Sequence, residues 1–257
     1  MKIDRVLANN PGPFTGPGTN TWLLDDGAGS VVVIDPGPVD SNHASAIYEA
    51  LGGRNLVAVL VTHTHSDHAP LANPLAREMG VPAVGHARGP QFEPSIRLLD
   101  GAVFDVGELA LRVVHTPGHA DDHLCFRAEN VLFTGDHIMG GSSVMVEDMG
   151  PYMASLKKLQ GTGLVRLHPG HGDDMEDPDQ VIEWYLMHRI QRHEQIFSAI
   201  SGGASTIDDV VEVVYADVDS ALHPLAARSV AAHVTLLSDE GRITLEGGRL
   251  IALPQSP

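Results

Sequence analysis

Apolar residues along this chain gather into short runs, each of which ends in a polar cluster: 31-VVVID-35, 57-VAVLVTHTH-65, 111-LRVVHTPGH-119, 131-VLFTGD-136 and 164-LVRLHPGH-171. Their length and β-branched content predict strands buried on both faces or nearly so. Between some of them lie segments with helical spacing: 41–53, with a serine N-cap and a glycine stop, 70–80 and 151–161. Strands alternating with helices predict a layered α/β domain. Residues 96–114 alternate instead like a hairpin, with Gly107 and Glu108 at its turn.

After about residue 177 the pattern changes. Residues 178–201 carry apolar positions at helical spacing with no interior glycine or proline, and 206–216 and 224–241 follow as two further helices. The segment 242–253 reads as a hairpin turning at Gly247 and Gly248. Helix, helix, helix and hairpin match a winged-helix order. The chain therefore divides into residues 1–177 and a C-terminal helical region, 178–257.

The 257 residues carry a formal charge of -17, with 33 acidic and 16 basic side chains, which argues against a broad basic surface for duplex nucleic acid. The lone cysteine, Cys125, excludes an internal disulfide framework. With no apolar signal-like run at the N-terminus and no membrane-length stretch, the expected compartment is the cytoplasm, without a membrane partner.

Fifteen histidines are the anomaly. The densest group, 63-HTHSDH-68, directly follows the strongest strand: alternation along an extended segment puts His63 and His65 on one side, and Asp67 and His68 follow as the chain turns. His119, Asp136 and His171 end three other apolar runs, and ligands carried by a sheet converge at the edge where loops leave the strand ends. Five imidazoles and two carboxylates are too many for one tetrahedral site. They suit two borderline divalent ions, and the absence of cysteine excludes a thiolate-rich structural site.

These residues and their order resemble the metallo-β-lactamase superfamily, whose pattern is a strand-end aspartate (here Asp35 in 34-IDPG-37), HxHxDH, and then single His, Asp and His. Within it, 18-GTNTWLL-24, 116-TPGHADDH-123, 133-FTGDHIMG-140, 188-HRIQRHEQIF-197 and the region 222–243 are similar to the β-lactamase-like protein 2 family, almost end to end. The resemblance implies a four-layer αββα sandwich with a winged-helix-like C-terminal region. It implies one metal on His63, His65 and His119 and a second on Asp67, His68 and His171, with Asp136 bridging. Asp35 is expected to orient the histidine loop. His123 and His137 lie beside the motifs, and His43, His86, His188 and His193 are read as structural.

The expected enzyme is a dinuclear zinc hydrolase (manganese or iron suiting the same donors) that uses a metal-bridging hydroxide, with Asp67 also handling the proton of the attacking water. The favoured substrate is a small acyl compound: thioester, lactone or lactam. Single-stranded RNA is the alternative, through Arg54, Arg88, Arg97, Lys157, Lys158, Arg189 and Arg192. A binding role for the winged-helix tail, and a homodimer through residues such as Leu222 and Val230, are further alternatives.

Overall fold

Valine-rich runs form the middle of a six-stranded mixed sheet made of β1 (Lys2–Leu7), β2 (Asn20–Asp25), β3 (Ser30–Ile34), β4 (Asn55–Leu60), β5 (Ala83–Gly85) and β6 (Ile96–Arg97), in that order. The first three strands are antiparallel, and β3 to β6 run parallel. A second six-stranded sheet holds β7 (Val103–Val106), β8 (Leu109–His115), β9 (Leu124–Ala128), β10 (Val131–Gly135), β11 (Arg166–Pro169) and β12 (Met175–Glu176), ordered β12-β11-β10-β9-β8-β7. The computed structural model describes residues 1–141 and 143–254, and both sheets lie in one compact unit: Met1–Pro117, Asp121–Val144 and Gly161–Asp179.

Alternate residues of each strand serve different layers. Trp22, Leu24, Val32, Ile34 and Leu60 of the first sheet join Leu111, Val113, Phe126 and Phe133 of the second in one buried cluster, so the sheets stack face to face. The intervening Leu23, Val31, Val33, Val59 and Val61 face the other way. They pack on α1 (Ser41–Leu51) and α2 (Ala72–Met79) through Ile47, Leu51, Ala72 and Leu75. Each such side chain, fully buried, contributes about 1.5–3 kcal/mol.

Several local details differ from the sequence reading. The cap of α1 is Asp40, whose carboxylate accepts the His43 amide, so Ser41 is already the first helical residue; Gly52 ends the helix at φ 57°. Ile96 and Arg97 pair with β5 in the first sheet, and only Val103–His115 forms the expected hairpin about Gly107. β4 stops at Leu60, before the histidine motif, because the Thr62 amide turns to Asp35 Oδ1 at 2.7 Å.

The other unit comprises Gly118–Ala120, Met145–Gln160 and the chain from Gln180 onward. It contains α3 (Met149–Leu159), most of α4 (Pro178–Ser201), α5 (Ile207–Val214), α6 (His223–Asp239) and the hairpin β13 (Ile243–Glu246) with β14 (Arg249–Ala252). Thr206 and Asp209 form a reciprocal capping box at α5. Ile196, Val210, Val230, Val234, Leu237 and Ile243 share one core, which closes the hairpin onto the helices. No helix among the described residues is long and apolar enough to cross a membrane.

Candidate metal centre

Asp35 closes β3 in the left-handed region, φ 51°, which aspartate tolerates better than most residues. It is buried at 1% exposure, and its carboxylate accepts the Thr62 amide at 2.7 Å and the Thr62 hydroxyl at 2.6 Å. The same carboxylate meets His68 Nδ1 at 2.9 Å. Its backbone carbonyl takes the hydroxyl of Thr21, which in turn contacts His43 Nε2 at 2.9 Å. One buried carboxylate thus ends the strand, aims the histidine loop and is itself braced from behind.

Proton bookkeeping in this network decides which nitrogens face inward. Asp35 offers only lone pairs, so His68 Nδ1 carries a proton. Thr62 gives its hydroxyl proton to Asp35, so it accepts from His63 Nδ1, 3.0 Å away. The Gly18 carbonyl meets His171 Nδ1 at 3.1 Å, which makes that nitrogen a donor too. In all three rings Nε2 is then the nitrogen left to present a lone pair. These assignments come from the hydrogen-bond partners.

The Nε2 atoms converge. His68 Nε2 lies 3.2 Å from His171 Nε2, and His63 Nε2 lies 3.0 Å from His65 Nδ1. Asp136 reaches His68 Nε2 and His171 Nε2 at 3.3 Å each, and Asp67 reaches His171 Nε2 at 3.2 Å and His68 Nε2 at 3.6 Å. Within this unit, His63, His68 and Asp136, and again Asp67, His68 and His171, hold their donor atoms within 4.8 Å of one another. Two imidazole lone pairs face to face are repulsive unless a cation lies between them. Nitrogen and oxygen donors without thiolate suit a borderline divalent ion, so the residues fit the group that their chemistry implies.

Charge and space agree with that fit. Burial alone would push the His68 pKa down, but Asp136, Asp35 and Asp67 hold it well above the usual imidazole value. Burial likewise opposes the shift at His171, which Asp136 and Asp67 raise to about 9. Burial would raise Asp136, yet His68 and His171 hold it well below the carboxylate range. The cluster therefore draws positive charge. Gly170 leaves the room: a Cβ there would stand 2.5 Å from Asp136 Oδ1 and 2.7 Å from His68 Cε1.

His119 lies on Gly118–Ala120 and so groups with the other unit, where it is buried and its Nδ1 meets the Met145 carbonyl at 2.7 Å. Two supporting groups have roles that the sequence reading did not assign, although it named His123 as lying beside the motifs. His123 accepts the Asp136 amide at Nε2, 3.1 Å, while its Nδ1 meets Thr116 Oγ1 at 2.9 Å, so it is a brace for Asp136. Asp122 accepts the Thr64 amide at 3.1 Å, between the first two histidines of the motif. Thr62 was legible as a polar residue at a strand end. The carbonyls of Gly18 and Met145 carry no signal in sequence.

Several of the cations that an RNA groove would use have partners within the protein. Arg54 pairs with Asp4 and Asp25, Arg88 lies 3.8 Å from Glu93, and Arg189 and Arg192 lie over the rings of Tyr152 and Tyr215.

Residues 14–183 match the profile of the metallo-beta-lactamase superfamily, and residues 206–249 that of a beta-lactamase associated winged helix domain. A "Beta-lactamase-like protein 2 homolog" of Drosophila melanogaster is 34% identical over 261 residues, spanning 94% of this chain and 89% of its own. An "Atrochrysone carboxyl ACP thioesterase" of Aspergillus chevalieri is 34% identical over 240 residues, 84% of this chain and 74% of its own. A beta-lactamase domain protein from Burkholderia ambifaria superposes with a TM-score of 0.84 at 22% identity, over 98% of this chain and 91% of the other. The αββα fold with a winged-helix-like C-terminal region, expected from the sequence, is the fold of this chain.

Proposed function

Because this chain belongs to the metallo-β-lactamase superfamily and is a hydrolase of that kind, we propose that it cleaves small acyl thioesters with two zinc ions. In this reading His63, His65 and His119 would hold one ion and Asp67, His68 and His171 the other, with Asp136 available to both. The observation that carries it is the inward convergence of His63, His68 and His171, each fixed from behind through Nδ1. His119 has the same arrangement, Nδ1 on a backbone carbonyl, and so offers Nε2 as its ligand.

Bound ions of this kind polarise an acyl oxygen and lower the pKa of water toward about 7. The protein's own part is orientation and proton handling. The Asp67 side chain is 25% exposed against 8% for Asp136, so Asp67 is the carboxylate that reaches attacking water. It takes the water proton at a carboxylate oxygen while the oxygen adds to the acyl carbon. As the carbon–sulfur bond breaks, the proton returns to the thiolate, leaving a carboxylic acid and a thiol. Cys125 is fully buried between Thr116 and the Thr134 carbonyl, which leaves no cysteine to act as nucleophile among the described residues.

The thioester class rests on the similarity to the named thioesterase and on the engagement of the arginines that RNA would need. Residues 1–177 form the catalytic part in this reading, residues 178–257 a winged-helix appendage, and the cytoplasm is the compartment. The test is thiol release from acyl-coenzyme A and acyl-pantetheine by metal-quantified protein, beside Asp67→Asn. Turnover that falls at least about 100-fold in the variant, with two zinc ions per chain in the wild type, is the expected result. Two ions without thiol release would remove the substrate class, and no metal uptake would remove the site.

A further inference from the structure

Behind Asp136, on the second sheet, lies a short series of buried polar groups that the chemistry above does not use. Along β9, Leu124 and Phe126 point into the core between the sheets, so alternation turns His123 and Cys125 to the opposite face. The pairing of β8 with β9 continues one rung further, where the Thr116 amide donates to the His123 carbonyl at 2.9 Å. That rung sets the Thr116 hydroxyl between the His123 ring and the Cys125 thiol. Thr116, His123, Cys125 and Thr134 are all fully buried, so their protons need acceptors within the protein.

One fixed end gives the whole series its direction. The Asp136 amide can only donate, so His123 Nε2, 3.1 Å away, presents a lone pair and the ring proton sits on Nδ1. Nδ1 then donates to Thr116 Oγ1 at 2.9 Å. Thr116 gives its own proton to Cys125 Sγ at 3.3 Å, and the thiol donates to the Thr134 carbonyl at 3.7 Å. Thr134 and Asp136 flank Gly135, so the series begins and ends on the turn that presents the Asp136 carboxylate.

Gly135 shows how closely that turn is gripped. Its φ is 47°, and a Cβ there would stand 2.7 Å from His123 Nε2 and 2.7 Å from Thr62 Oγ1. The turn is pinned from the first sheet by the Asp35–Thr62 pair and from the second by His123, Thr116 and Cys125.

We propose that Thr116 is a positioning residue for the metal centre. By accepting the His123 Nδ1 proton and handing its own to Cys125, it holds the one ring tautomer that can receive the Asp136 amide, and so aims the Asp136 carboxylate before any ion arrives. The proposal rests on the reading of Asp136 as a metal ligand. Without the hydroxyl, the buried Nδ1 proton has no acceptor, the ring turns to find one, and its bond to the Asp136 amide loosens.

The test uses the full-length protein with Thr116→Val, which removes the hydroxyl and keeps the shape, and Thr116→Ser, which keeps the hydroxyl. Nitrogen-15 spectra of the imidazoles in metal-free wild-type protein, with His123 identified by its absence from His123→Gln, should show the proton on Nδ1. In metal-free Thr116→Val the Asp136 amide should exchange with solvent at least about tenfold faster while the amides of β10 keep their rates. Zinc should bind about tenfold more weakly to the same variant, and Thr116→Ser should restore both properties. A proton on Nε2 in the wild type overturns the proposal. So does a folded Thr116→Val protein with unchanged Asp136 exchange or zinc affinity, one in which the β10 amides speed up equally, or a serine variant that restores neither. Absence of zinc uptake by the wild type removes the metal centre and this proposal with it; the ring and exchange measurements, made without metal, tell the two failures apart. Should Thr116→Val fail to fold, the wild-type ring spectrum decides alone.

Discussion

Asp35 separates two roles that most buried carboxylates combine. Asp35→Ala leaves three buried donors without an acceptor: the Thr62 amide, the Thr62 hydroxyl and His68 Nδ1. At about 1–2 kcal/mol each, with about 1 kcal/mol for alanine at positive φ, the loss comes to about 5 kcal/mol. For a unit of this size that lowers Tm by about 10–20 °C. Asp35→Asn keeps shape and tolerates the φ of 51°, but replaces one oxygen by an NH2 group. Turned toward Thr62 Oγ1 and His68, that group meets donors; turned the other way, it meets the Thr62 amide. The first arrangement costs less, and His68 then accepts at Nδ1 and carries its proton on Nε2, the nitrogen aimed at the metal. The Asn variant should lose about 2 kcal/mol of stability but about 10–100-fold in metal affinity. Calorimetric Tm and zinc content after dialysis against graded chelator read the two effects separately. An Asn variant that keeps wild-type zinc affinity would refute the tautomer argument.

Gly170→Ala drives a methyl group against Asp136 and His68, so metal content should fall while the far-UV circular dichroism spectrum is unchanged; full zinc occupancy in this variant would show that the cluster relaxes around the methyl group. His233 is fully buried in α6 of the second unit, and its pKa is depressed to about 3 by burial, then by His193, Arg189, Arg192 and His188. The unfolded chain takes up a proton near pH 6.5 that the folded chain refuses, so stability is present above that pH and declines as pH falls toward 3, by about 2 kcal/mol at pH 5. Urea midpoints at pH 7.5 and 5 should show a smaller acid loss in His233→Leu than in wild type, and equal losses would contradict this assignment.

The strands legible in sequence were the apolar runs of β3, β4, β10 and β11, because burial on both faces leaves a continuous apolar signature. β8 was legible too, although it is buried on one face only: Leu109, Leu111 and Val113 face the core while Ala110 and Arg112 are exposed, against the two-sided burial expected of that run. β6 was not: Ile96 and Arg97 are two exposed residues whose pairing with β5 is a tertiary choice, and their alternation with the residues that follow reads equally well as a hairpin. The histidine motif was visible as a cluster, but its geometry was attributed to strand alternation. In the structure the strand has already ended, and a carboxylate from the neighbouring strand shapes the loop. The acceptors behind His171 and His119 are peptide carbonyls, which every residue possesses, so no sequence pattern marks them. His123 stood out as a histidine, but only the fold shows that it faces the Asp136 amide.

The donors around His68 come from both sheets, with Asp35 and Asp67 early in the chain and His171 more than a hundred residues later. During synthesis from the N-terminus, a growing chain that has completed β4 carries the histidine motif with its brace at Asp35, but neither Asp136 nor His171. Such long-range closure is slow relative to local structure. With the ligand set proposed above, metal capture at full strength comes after β11 has left the ribosome and joined its sheet. A ribosome-bound chain arrested before His171 should then lack a tight metal site, and metal uptake can serve as a clock for the moment when the two sheets meet.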